Sequence, residues 1–187
     1  TAVAGETLAA YARCHRALVG ARLKDNIITD TQLRQLIEQG YVSTTLRCSR
    51  ETYGIPLPDA QTGIPAIIME MTAFSRPGVI EVLPALPSSL ERGSVKGMMA
   101  RAFTRIDELS WDLKNRTVDI TVTSLKNQDI TLIARYGIDD ISAPAGIIKN
   151  FRKGNADCVI SLSENEPVNI HLELGDYKPL DWIDQVS

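Results

Sequence analysis

The apolar residues of this 187-residue chain change their period close to Pro77, from three or four residues to two. A period near 3.6 is what a helix with one buried face requires, and a period of two is what a strand with one buried face requires. The chain therefore reads as a helical segment of about 75 residues followed by a β segment of about 110.

Three helices are expected before the switch. Leu8, Tyr11, Ala12, Leu18, Val19 and Leu23 describe one face of a helix opened near Gly5. For the second, Thr29 followed three residues later by Gln32 has the form of a capping box, Leu33, Leu36 and Ile37 supply the stripe, and Gly40 fits just beyond the end. The third follows Gly63, with Pro65 in the first turn, where its missing N–H costs little, and runs from Ala66 to Phe74. Its Ala66-Ile67-Ile68-Met69 stretch is apolar nearly all round, as in a helix inside a larger helical assembly.

After Pro77, Leu109, Trp111 and Leu113 alternate with polar residues up to a turn at Lys114-Asn115-Arg116. Val118, Ile120 and Val122 alternate again before the turn at Lys126-Asn127-Gln128, and Ile130, Leu132 and Ala134 continue. Val159 to Leu162 and Val168 to Leu174 form a last pair around Asn165-Glu166-Pro167. Strands at about ten-residue spacing joined by turns predict a small antiparallel β-sandwich. The fold class expected is thus α+β, with a helical domain over residues 1–77 and a β domain over residues 78–187.

A chain of this length supports one sizeable core or two small ones. Its apolar fraction of 44% and charged fraction of 23% are those of a globular protein, and no apolar run approaches the roughly 20 residues that span a bilayer. The net charge of −3, with no block of like charges, argues against nucleic acid as a partner. Cys14, Cys48 and Cys158 lie far apart with only His15 and His171 to join them, so neither a metal site nor a cofactor is expected. The chain begins at Thr1 with no signal-like stretch, and the expectation is that processing or truncation has removed the true start.

The stretch from Glu81 to Arg101 is too rich in Pro and Gly for a helix and reads as an ordered connector: a short strand, a Pro-shaped turn, and a second short strand around Ser94 to Arg101. Its Leu83-Pro84-Ala85-Leu86-Pro87, Gly93-Ser94-Val95-Lys96-Gly97 and Ala100-Arg101 resemble the segment LLPALPxxWxxGSVKGLxARGG of glycoside hydrolase family 95. The resemblance continues upstream. Asp59-Ala60-Gln61-Thr62-Gly63 with Glu70-Met71 falls at the spacing of that family's DGNFGxxxGxxEML, Ala21 to Asp25 is similar to ARLGDG, and Thr45-Leu46 to the start of TLPN. Leu109-Ser110-Trp111 is similar to the strand that follows ARGGF.

The resemblance implies that the helices are the last of an (α/α)6 barrel and that the rest is its C-terminal β domain. It also implies an inverting exo-glycosidase that removes terminal α-L-fucosyl or α-L-galactosyl residues from oligosaccharides, exported to the periplasm or secreted. Inversion needs two carboxyl groups on opposite sides of the sugar, spaced so that water fits below the anomeric carbon. Asp59 is the counterpart of the family's water-activating aspartate. Tyr53 stands where a substrate-contacting histidine is expected, and Gln61 takes the place of an asparagine. The general acid has no counterpart in this chain, so the remainder of the barrel is an implied partner.

Read from the residues alone, Asp59 lies in a Pro-rich loop ahead of a helix start, and it either caps that helix or serves as a base. Neither Glu51 nor Asp107 has a matching position in the family's motifs. His15 and His171 read as packed or solvent-facing, and Glu70, Lys96 and Arg101 as structural charges. Trp111 reads as core by its alternation with Leu109 and Leu113, and the role of Trp182 stays open. The alternative function is a non-catalytic carbohydrate-binding or scaffold relative of the barrel enzymes.

Overall fold

The computed structural model of the chain describes residues 10–38 and 58–175. They fold as two compact units, the first holding the helices together with Ala85–Ser88, the second holding residues 73–84 and the chain from Ser89 onward. Gly5, Leu8, Gly40, Thr45, Cys48, Glu51, Tyr53 and Trp182 lie outside the described residues.

The helical unit comprises α1 (Ala10–Leu23), α2 (Asn26–Glu38) and α3 (Pro58–Thr72). The buried face of α1 is Ala10, Arg13, Cys14, Ala17, Gly20 and Ala21, not the expected stripe, and Tyr11, Val19 and Leu23 are exposed. Small residues win because the helices approach closely: a Cβ at Gly20 would come within 2.9 Å of Ile28 Cγ2 on α2. Lys24, at φ 64°, turns the chain, and the N-cap of α2 is Asp25, whose Oδ1 accepts the Ile28 N–H at 2.9 Å. Thr29 is therefore inside the helix, its hydroxyl donating to the Asp25 carbonyl at 2.7 Å, and the expected capping box does not form. Of the expected α2 stripe, Leu36 is fully buried while Ile37 is exposed.

The third helix starts at Pro58, six residues ahead of the start expected after Gly63. Pro58 supplies a first-turn residue preset for helical φ, and Pro65 sits inside the helix at the loss of one backbone hydrogen bond. The helix also ends earlier, at Thr72, whose hydroxyl donates back to the Ile68 carbonyl at 2.6 Å. Ala73 and Phe74, expected to finish the helix, instead open β1.

The second unit contains β1 (Ala73–Arg76), β2 (Val79–Val82), β3 (Arg92–Ala100), β4 (Thr104–Asp112), β5 (Thr117–Ser124), β6 (Gln128–Ala134), β7 (Ile138–Ser142), β8 (Ile148–Asn150), β9 (Asp157–Leu162) and β10 (Pro167–Leu174). Two five-stranded sheets result, ordered β1-β2-β6-β9-β8 and β3-β4-β5-β10-β7. Pro77-Gly78 closes the β1–β2 hairpin, with Gly78 at φ 75°, the left-handed position a Pro-Gly turn of type II requires.

The unit is a sandwich-like pair of sheets, as the alternation predicted, but it is not wholly antiparallel. β2 pairs with β6 in parallel, with Val79 opposite Thr131 and Val82 opposite Ala134. The connector contributes one long strand, β3, not a short one. It keeps one register with β4 throughout, from Arg92 opposite Asp112 to Ala100 opposite Thr104, while β4 itself bulges at Asp107 against β5. β7 and β8 escaped the periodicity because the segment from Ile138 to Asn150 is short and broken by Pro144 and Gly146.

The core is built from the predicted alternating residues. Val118, Ile120 and Val122 on β5, Ile130, Leu132 and Ala134 on β6, Cys158, Ile160 and Leu162 on β9, and Val168, Ile170, Leu172 and Leu174 on β10 are all buried. Each large aliphatic side chain so enclosed contributes about 1.5–3 kcal/mol relative to exposure.

Candidate functional site

The candidate residues fall on the first turn of α3. Asp59 is the second residue of that helix and Gln61 the fourth, so Asp59 is not carried by a loop ahead of the helix. Of Asp59 the backbone alone is described. Gln61 is exposed, and Tyr53 lies outside the described residues. The Thr62 hydroxyl donates to the Pro58 carbonyl at 3.1 Å, which ties down the turn that carries Asp59.

The position of α3 is set by α1. A Cβ at Gly63 would lie 3.4 Å from Cys14 Cβ, so a glycine here lets the N-terminal half of α3 approach α1 closely. Further along, Arg22 Nη2 on α1 meets Glu70 Oε1 on α3 at 3.2 Å. Both contacts advance in the same chain direction, so α1 and α3 run parallel. By the same reading, Gly20 against Ile28 and the bond from Arg13 Nη1 to Gln35 Oε1 make α1 and α2 antiparallel. The result is a helical hairpin followed by a helix that repeats the direction of the first.

The remaining charged residues bear out their structural reading. Glu70 is buried with Arg22, Lys96 pairs with Glu108 at 3.0 Å, and Arg101 donates through Nη1 to the Ser75 carbonyl at 3.2 Å. Asp107 sits at the bulge of β4 against β5, where partial desolvation pushes its carboxyl up but hydrogen bonds from Thr123 and Arg105 outweigh this and hold it below the usual carboxylate range. Trp111 is a core residue whose Nε1 donates to the Leu90 carbonyl at 2.9 Å. His15 is exposed on α1. Among the described residues no three of His, Cys, Asp and Glu converge as metal ligands.

One concave feature was not anticipated. A cavity of about 360 Å³ lies on the solvent side of β5, β10 and β7, its polar lining being Asp119, Thr121, Asn169 and His171 from β5 and β10 and Ser142 from β7. No sequence signal marks such a cavity, because its residues converge only once the three strands are paired.

A helical hairpin and helix followed directly by a two-sheet β unit define the class as a helical domain carrying a C-terminal β domain. Residues 74–165 match the family model described as glycoside hydrolase family 95, C-terminal domain. The matched stretch runs from the second residue of β1 to the turn before β10, so the β unit is similar to the C-terminal domain of family 95 glycoside hydrolases. Among solved structures, that of a GH127 β-L-arabinofuranosidase from Geobacillus stearothermophilus T6 is similar at 16% identity and a TM-score of 0.38, over 64% of this chain. This chain spans only 18% of that structure's length. No curated protein matches the chain.

Proposed function

We propose that the chain is the C-terminal portion of an inverting exo-glycosidase that hydrolyses terminal α-L-fucosyl or α-L-galactosyl residues, with Asp59 activating the attacking water. The observation that carries this is the match of residues 74–165 to the family 95 C-terminal domain, which begins two residues after the helix whose first turn holds Asp59. The first turn of a helix favours negative charge, and a base must be ionised to accept a proton from water. Tyr53 and Gln61 are the proposed sugar-contacting residues, a phenol and an amide that each exchange hydrogen bonds with hydroxyl groups.

The remainder of the helical barrel is the proposed partner of α1–α3. Tyr11, Val19, Leu23, Ile27, Ile28, Ile37 and Met69 are exposed apolar residues on three short helices, and further helices would cover them. The general acid would come from that remainder, so this chain alone is expected to hydrolyse no glycoside: one carboxylate cannot protonate the leaving oxygen and activate water on the opposite face. Export to the periplasm or the cell exterior follows from the proposed glycan substrate.

The test compares the full-length protein with its Asp59→Asn variant on aryl α-L-fucoside, aryl α-L-galactoside and fucosylated oligosaccharides. A loss of about 10²- to 10⁴-fold in rate is expected for a group acting in proton transfer. Equal rates would remove Asp59 from the mechanism. A well-folded full-length protein inactive on every α-L-linked substrate would favour a non-catalytic carbohydrate-binding or scaffold role.

A further inference from the structure

The cavity over β5, β10 and β7 is built from cross-strand pairs. Thr121 stands opposite Asn169, and Asp119 opposite His171, on neighbouring strands. Ser142 on β7 stands opposite His171 from the other side. The strand then leaves the sheet through a turn in which the Pro144 carbonyl accepts the Ile147 N–H at 3.2 Å and Gly146 takes φ 82°, raising Pro144 as a wall.

Two hydrogen bonds fix the polar groups in advance. The Thr121 hydroxyl donates to Asn169 Oδ1 at 2.6 Å, which leaves the amide Nδ2 as the donor of Asn169. His171 Nδ1 meets Asp119 Oδ1 at 2.6 Å; in the neutral ring Nδ1–H donates to the carboxylate and Nε2 is an acceptor. The cavity thus offers a carboxylate oxygen, an amide donor, an imidazole nitrogen and the Ser142 hydroxyl within about 360 Å³, a volume in the range that holds small ligands.

The lining also excludes other ligand classes. No Lys or Arg lines the cavity, so an anion finds no counter-charge. Asp119 is its one carboxylate and is already hydrogen-bonded, which is too few ligands for a hard cation. A wholly apolar ligand would strand the polar groups without partners. What fits is a neutral ring with several hydroxyl groups and one C–H face to lie against Pro144.

We propose that this cavity binds a neutral sugar ring, with Asp119 accepting from hydroxyl groups and Asn169, His171 and Ser142 exchanging hydrogen bonds with them. The site holds sugar without acting on it, and its ligand class follows from its own lining, not from the catalytic role given to Asp59.

The test is a titration of the full chain, labelled with 15N, followed by amide resonances. Methyl α-L-fucoside and methyl β-D-galactoside are the probes, and inorganic phosphate and calcium chloride the controls. Saturable shifts at residues 119–121, 142–144 and 169–171 with at least one glycoside are expected, with binding about tenfold weaker in Asn169→Ala and His171→Ala. Asn169→Asp, which removes the amide donor and keeps the shape, decides the matter should either alanine variant fail to fold. Absence of saturable shifts with both glycosides, shifts unchanged in the variants, or a response to phosphate or calcium alone would overturn the proposal. Because the readout is binding on the β unit's own amides, it stands or falls separately from hydrolysis by the full-length protein.

Discussion

Gly93 and Trp111 face each other across β3 and β4, and the indole occupies the space where a side chain on Gly93 would begin. A Cβ at Gly93 would overlap Trp111 Cζ2 and come within 2.9 Å of Cη2. The ring cannot swing away without breaking the bond from its Nε1 to the Leu90 carbonyl. Gly93→Ala is therefore expected to destabilise the β unit by about 1–3 kcal/mol, as overpacking does. In a double-mutant cycle by urea denaturation, Trp111→Leu should remove most of that cost, and additive effects would show that the two residues do not clash.

Glu81 on β2 and Arg135, just past β6, form an ion pair at 2.7 Å with both side chains about 5% exposed or less. Truncating one partner of such a pair leaves a buried charge without its main counter-ion, so Glu81→Ala should cost about 3–5 kcal/mol. Replacing both, as Glu81→Leu with Arg135→Met, should cost clearly less, because no buried charge is then stranded. Denaturation midpoints of the two variants against the parent protein measure this, and a double variant as unstable as the single one would contradict it.

Asp112 is held below its usual range, first by the backbone N–H of Asn115 and then by Arg92, whose Nη2 lies 2.9 Å from Oδ2. A carboxyl lowered in the folded state binds fewer protons there than when unfolded. Its contribution is present above the ordinary value of 3.8 and is lost as pH falls through the lower folded value. The acid-side slope of stability against pH should be shallower in Asp112→Asn, and an unchanged slope would show that the turn after β4 does not depend on this charge.

Cys158 has the opposite sign of linkage. Burial, with Asp157 nearby, pushes its thiol from 9.0 up to about 11, so the folded state keeps a proton that the unfolded state has lost. Stability is unaffected below the ordinary value and falls as pH rises toward the folded one. In a Cys48→Ser background, Cys158 should resist alkylation near neutral pH until the protein unfolds, as mass spectrometry of the labelled peptide would reveal. Rapid labelling of the folded protein would contradict its burial.

Local pattern alone made β4, β5, β6, β9 and β10 legible, and the reason is physical. Val118, Ile120 and Val122 alternate because one face of β5 is buried, and that alternation is written into neighbouring positions of the chain. The stretch from Leu83 to Arg101 likewise carried its relation to a family in a string of adjacent residues. The helices were legible in number and not in face or boundary. The buried stripe of α1 is mostly of alanine, glycine and cysteine, because how closely two helices approach is decided by the partner and not by the apolar count of one helix. Asp25 displaced Thr29 as N-cap because the turn at Lys24 sets where the helix can start. The parallel pairing of β2 with β6 joins residues about 50 positions apart, and no local period encodes a partner at that distance. For the same reason Asp119, Asn169 and His171 read only as polar alternates along their strands, and Ser142 lies on β7, which shows no legible period. Strand pairing, which belongs to the tertiary structure, is what gathers them around one cavity.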